Sequence, residues 1–360
     1  MTRTIDYQSL INNVYNKVKH NTDGHVATYI SALGEADPTT FGLSICDLTG
    51  RVYNVGNAEK KIPIESISKL FTLALAIKKH GKHVISNKIG TSGSFLPFNS
   101  IIAEKLSPSH TINPFVNQGA MATTSLLYQA NHANYKKKLI DNMSDFANTN
   151  ITIDNGVYKS ELANNYTNLS LAYLLKSMKR FYGPVEKVVD AYTYQCSAKV
   201  SAKDLAVMAS VFANQGIHPK TGEKLLDRDE CIYLISALGI AGLYEYSSTW
   251  AVKTGGKSYA KSGVGGGIII VIPNVCGIGI TSPRLDKIGN SARGIQAGLL
   301  LSNILGRSLF DKTNLNLITY KKSRNNKKIR KTRKISLLTP NRERSRKGVI
   351  GDISPNRERS

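Results

Sequence analysis

The stretch "PIESISKLF", residues 63–71, places Ser66 and Lys69 three positions apart at the entry to an apolar run. The spacing alone decides nothing, because a second Ser-x-x-Lys occurs at Ser258 and Lys261 in "SYAKSG". The residues that follow make the difference. In "SISKLFTLALAIKKH", 66–80, the apolar positions Ile67, Leu70, Phe71, Leu73, Ala74 and Ile77 cover most of a helical circumference. That pattern predicts a central, buried helix, with Gly81 as its stop. On such a helix Ser66 and Lys69 share one face, a turn apart. Ser66 would stand at the N-terminus, where free N–H groups and the helix dipole favour developing negative charge. A serine hydroxyl becomes a good nucleophile when a base takes its proton. A lysine amine, with an ordinary pKa of about 10.4, can be that base once burial or a second cation drives it neutral. The plainer reading is a capping serine and a solvated lysine. Against it, a lysine in the first turn opposes the dipole, and a helix apolar nearly all round leaves it little water.

Working outward, residues 5–20 read as a helix, and "FGLSICDLTGRVYNVG", 41–56, reads as a β-hairpin turning at Gly50. Helical patterns follow at 119–130, at 161–180 with a break at "YGP", and at 201–214. The last opens with "SAKD", a capping pattern, and closes with "NQG", suited to a left-handed terminus. "GIIIVIP", 267–273, and "VCGIGIT", 275–281, read as adjacent antiparallel strands, and 289–306 as a closing helix. The order predicts an α/β (α+β) fold. Its antiparallel sheet is built from both chain ends and flanked by helices, with an inserted all-α region at roughly 85–225. A cleft between the layers is the expected place for a site.

The 41% hydrophobic content of this 360-residue chain supports a packed core. Cys46, Cys196, Cys231 and Cys276 form no Cys-x-x-Cys pair, and no histidine stands at zinc-ligand spacing. Four reduced, mostly buried thiols are expected, with no metal. The N-terminal residues show no apolar stretch suited to a signal peptide, and no run approaches the ~18 apolar residues of a membrane span. A cytoplasmic, soluble protein is the expectation. The net charge of +23 is uneven. Residues 312–360 hold sixteen Lys or Arg against Glu343, Asp352 and Glu358, and repeat "PNRERS". The composition predicts a disordered basic tail following a domain at 1–311. Such a tail could contact nucleic acid through its charge alone. No aromatics beyond Tyr320 interleave it, so a solvated appendage is the reading taken.

"AKSGVGGGIIIVIP", 260–273, is the second segment with chemical potential. Its glycines would let backbone approach a ligand closely ahead of a buried strand. It lacks the G-x-G-x-x-G order and precedes a strand instead of following one, so it is no dinucleotide loop. A Ser-x-x-Lys at a helix start with a Lys-Ser-Gly on a late strand is the signature of the β-lactamases and penicillin-binding proteins. The third element of that signature, Ser-Asp-Asn, is absent from the chain.

From about residue 5 to 311 the sequence resembles the serine-dependent glutaminases, relatives with the β-lactamase-like fold. The resemblance is carried, in order, by "ADPTTFGLSICDLTGRVYNVGNA", "PIESISKLF", "FNSI", "NPFVNQGA", "VYKSE", "CSAKVSAKDLAVMASVFANQGIHPKTGE", "AKSGVGGGI" and "SPRLDKIGNSARGIQ". It implies hydrolysis of L-glutamine to L-glutamate and ammonia through a glutamyl-serine intermediate, without a cofactor, in a homodimer or homotetramer. Carried over by position, Ser66 is the nucleophile, Lys69 its base, Tyr192 a substrate contact and proton relay, and Lys261 the second active-site lysine. Tyr29, Asn117, Glu161, Asn168, Tyr244 and the backbone of Val264 are the remaining substrate positions. These roles suit the chemistry. Glu161 can hold an α-ammonium by a charge-assisted bond, and the N–H groups of Ser66 and Val264 would form an oxyanion hole. Lys261 is expected beside Lys69, as the cation that helps keep it neutral. Three stretches depart from the family pattern: "GTSGSFLP" before "FNSI", Thr167 where arginine is usual, and the longer "EYSSTWAVKTGGKSY" after Tyr244.

Overall fold

The computed structural model describes residues 5–94, 100, 102, 105, 107, 109–130 and 134–307. The tail at 312–360 and most of "FNSI" lie outside the described residues. The first helix, α1 (Tyr7–Val18), is capped by Asp6, whose side chain accepts from Ser9 N at 3.0 Å. A short turn of helix, α2 (Ser31–Gly34), leads to the hairpin β1 (Gly42–Asp47) and β2 (Val52–Gly56), paired Cys46 to Val52 at the turn. Then come β3 (Ile62–Pro63), the central α3 (Ser68–His80) and α4 (Lys82–Ile89). Gly81 separates the two helices at φ +81°, a conformation open to glycine, so the expected stop is a sharp corner between helices.

The middle of the chain supplies α5 (Asn117–Ala130), α6 (Tyr135–Ala147), β4 (Thr152–Ile153), α7 (Asn155–Ala163) and α8 (Tyr166–Ser177). After these come α9 (Val185–Cys196), β5 (Ala198–Val200), α10 (Ala202–Ala213), α11 (Arg228–Ala241) and α12 (Ser247–Thr254). The expected helix over 161–180 is two helices, parted at Asn164–Asn165. Asparagine side chains compete for nearby backbone groups and favour such breaks. Two short strands of the mostly helical middle, β4 and β5, join β3 in a small antiparallel sheet of order β3-β5-β4. Its strands of two or three residues are too short to show alternation in the sequence. The capping box expected at the start of α10 is present, with Ser201 and Asp204 reciprocally bonded.

The main sheet is completed by β6 (Tyr259–Gly263), β7 (Gly267–Ile272) and β8 (Cys276–Thr281), and α13 (Ala292–Leu305) closes the described chain. Its order is β2-β1-β8-β7-β6, antiparallel throughout. Strand β1, from the N-terminal side, pairs with β8 from the C-terminal side, Gly42 opposite Thr281. This is the sheet expected from both chain ends. One face packs Leu43, Ile45, Ile268, Ile270, Ile278 and Ile280 against Ile11, Val14 and Val18 of α1 and Leu301 of α13. The other face turns Ile269 and Val271 toward the helical core. Burial on both faces explains why β7 reads as a continuous apolar run.

Helix α3 is the axis of that helical core. Every residue from Ser68 to Ala74 is buried. Phe71 meets Phe146 of α6 edge-on at 5.2 Å, and Phe146 stacks on Phe212 of α10 at 5.1 Å. All four cysteines are free and buried. Among the described residues no helix is long and apolar enough to cross a membrane.

Candidate active site

Ser66 lies in a single 3₁₀ turn, Glu65–Ile67, that runs into α3 at Ser68. Glu65 has φ +52°, a left-handed conformation uncommon for a side chain of this size. The turn is held because the Glu65 carbonyl accepts from both the backbone N–H and the hydroxyl of Ser68, the latter at 2.7 Å. Ser66 therefore stands just ahead of the positive end of a buried helix. The glycine-rich turn after β6 packs directly on this element. A Cβ at Gly263 would stand 2.5 Å from Ile64 O, and one at Gly265 would stand 2.3 Å from Pro63 O. Only glycines allow that approach, and it brings Val264 to the same cavity as Ser66.

The two lysines sit behind the cavity wall, Lys69 1% and Lys261 0% exposed. Lys69 Nζ donates to Asn117 Oδ1 at 2.7 Å and to Phe115 O at 3.2 Å, and lies 5.9 Å from the Tyr192 ring centre. Burial lowers its pKa to about 8, while Cys196 and Glu65 pull it upward. Lys261 Nζ donates to Ser262 O at 2.7 Å and lies 4.4 Å from the Tyr244 ring centre. Burial, and then the charge of Lys69, push its pKa well below the ordinary lysine value. The Lys261 amine thus feels the charge of Lys69.

A cavity of about 400 Å³ gathers the expected substrate positions. Tyr29, Ser66, Asn117 and Glu161 line it, together with Asn168, Tyr192, Tyr244 and Val264. Asn117, at the start of α5, is its polar hub. Its Oδ1 accepts from Lys69 and, at 3.3 Å, from the Tyr192 hydroxyl, and its Nδ2 donates to Asn168 Oδ1 at 3.2 Å. One amide hydrogen is left over. Tyr29 donates to Glu161 Oε1 at 2.6 Å. Tyr244, at φ +56°, shares hydrogen bonds with the hydroxyls of Ser66 and Ser262. Burial raises its pKa to about 12, with those bonds acting in the opposite sense.

This constellation can be set against known proteins. A family model described as Glutaminase matches residues 24–310. The chain belongs to the glutaminase family. The glutaminase of Colwellia psychrerythraea is 43% identical over 303 residues, covering 84% of this chain and 97% of that protein. That of Trichormus variabilis is 36% identical, covering 84% and 90%. Among solved structures, a probable glutaminase, ybaS, has a TM-score of 0.82 at 33% identity, covering 85% of this chain and all of that one. Mglu in its glutamate form has a TM-score of 0.80 at 32% identity, covering 87% and 72%. The β-lactamase-like architecture of the glutaminases is therefore the architecture of this chain.

Glu65, Asn164, Thr193 and Cys196 also line the cavity, and none of them was marked from the sequence. A carboxylate directly ahead of Ser66, on the way into an all-apolar helix, was the available signal for Glu65. Cys196 and Thr193 share the helix α9 with Tyr192, so a face argument could have found them. Of the departures from the family pattern, Thr167 does line the cavity. The lengthened segment after Tyr244 folds as α12 and a Gly255–Gly256 turn. "GTSGSFLP" lies partly outside the described residues.

Proposed function

We propose that this protein hydrolyses L-glutamine to L-glutamate and ammonia, with Ser66 as nucleophile. One observation carries the reading. The eight substrate positions line a single cavity whose floor is backed by two buried, pKa-depressed lysines. Neutral Lys69 accepts the Ser66 proton as Oγ attacks the side-chain amide carbon of glutamine. The N–H groups of Ser66 and Val264 receive the developing oxyanion. The amide nitrogen takes a proton and leaves as ammonia, which forms the glutamyl ester of Ser66. Water then attacks that ester, returns a proton to the dyad and frees glutamate. The tyrosine beside Ser66 is Tyr244, while the Tyr192 hydroxyl is turned to Asn117. We therefore give the relay at Ser66 to Tyr244. Tyr192 holds Asn117 and, through it, the Lys69 amine.

The test is ammonia and glutamate release from L-glutamine. Ser66→Ala and Lys69→Ala should each lower kcat by about 10³-fold or more, the scale of losing a nucleophile or its base. Tyr244→Phe should cost more kcat than Tyr192→Phe. Full turnover by Ser66→Ala would end this reading.

A further inference from the structure

Glu65 is 4% exposed and held in a left-handed turn, and its Oε1 has no hydrogen-bond partner although it belongs to a residue lining the cavity. A buried carboxylate oxygen left unpaired is costly and calls for a partner from outside the chain. Glu161 lines the same cavity, and Tyr29, bonded to Glu161, also hydrogen-bonds to the Glu65 carboxyl, which leaves Oε1 as its open atom. We propose that Glu65 is a second carboxyl of the substrate subsite, acting with Glu161 to hold the α-ammonium of glutamine. The proposal rests on the glutaminase reading and adds a specificity-determining residue to it.

The surrounding charges favour a cation at this place. Glu65 is faced by Glu161 of α7, Tyr29, Lys69 of α3, Tyr192 and Cys196 of α9, and Tyr244. The cation among them, Lys69, directs its amine to Asn117 and Phe115. Burial and the charge of Glu161 raise the Glu65 pKa well above the usual carboxylate range, and burial raises that of Glu161. Buried side by side, the two carboxyls hold a proton more firmly than exposed ones would. An arriving ammonium replaces it: one carboxyl O–H breaks, its proton passes to solvent, and the ammonium pairs with two carboxylates. Glutamine binding then weakens as pH falls and the pair holds its proton more firmly.

The experiment compares L-glutamine with 4-carbamoylbutanoate, which carries the same amide and carboxylate without the ammonium. In the full-length protein, Glu65→Gln should lower the kcat/KM preference for glutamine by about tenfold or more, the scale of one charged hydrogen bond. Most of the change should appear in KM for glutamine, and the rise of that KM at acid pH should flatten. Glu65→Asp should keep more of the preference than Glu65→Gln. An unchanged preference in Glu65→Gln, with wild-type turning over glutamine, overturns this proposal alone. Wild-type protein that hydrolyses neither amide overturns the glutaminase reading with it.

Discussion

Lys69 is the residue whose chemistry is most exposed to measurement. In the proposed mechanism only its neutral amine can take the Ser66 proton, and burial on α3 brings its pKa to about 8. Cys196 and Glu65 act in the upward sense and keep it from falling further. Below about pH 8 the amine is mostly protonated, so kcat/KM for glutamine should rise about tenfold per pH unit there and level off above it. A profile flat from pH 6 to 9 would assign the base to another group. Burial, and then the charge of Lys69, push the pKa of Lys261 down as well. Its amine serves as a donor to Ser262 O beneath Tyr244. Both lysines were legible in the sequence as candidates, through Ser-x-x-Lys and Lys-Ser-Gly. How far each amine's pKa falls depends on depth and mutual field, which spacing does not encode.

At the scale of elements, the fold depends on how closely α10 lies on the main sheet. Strand β8 presents Gly277 and Gly279 to that helix. A Cβ on Gly279 would stand 2.0 Å from Ala202 O and 2.6 Å from Ala206 N, and both of these are backbone atoms that cannot rotate away. Gly279→Ala should therefore destabilise the fold by about 1–3 kcal/mol or more, the cost of overpacking a dense core. It would be read as a lower urea midpoint with unchanged slope. A midpoint equal to wild type would mean that α10 shifts freely on the sheet. Elements were legible where one period ran long enough, as in α3, α10 and the β7–β8 pair. The left-handed residues Glu65 and Tyr244 were not. A strained backbone at a bulky side chain contradicts local preference, so sequence reasoning passes over such places, and here both flank the cavity.

At the scale of the whole molecule, the family match ends at residue 310, and the strongest charge imbalance begins just beyond it, at Lys312. We propose that residues 1–311 are the catalytic unit and that 312–360 adds only charge. Among the described residues, each buried cluster is built from residues between Ile11 and Leu305. Removing residues 312–360 should leave kcat/KM for glutamine within about twofold and Tm within about 2 °C, because a segment this charged has little apolar surface to add to a core. The same truncation removes a net +13 of the +23 total. Affinity for a polyanion such as heparin should fall, and its dependence on salt should become shallower, because fewer counterions are released on binding. If the shortened protein binds heparin as tightly and with the same salt slope, the basic surface of 1–311 is the contact and the tail is not. If it loses activity, the boundary at 311 cuts through the catalytic unit, and the end of the family match does not mark its edge.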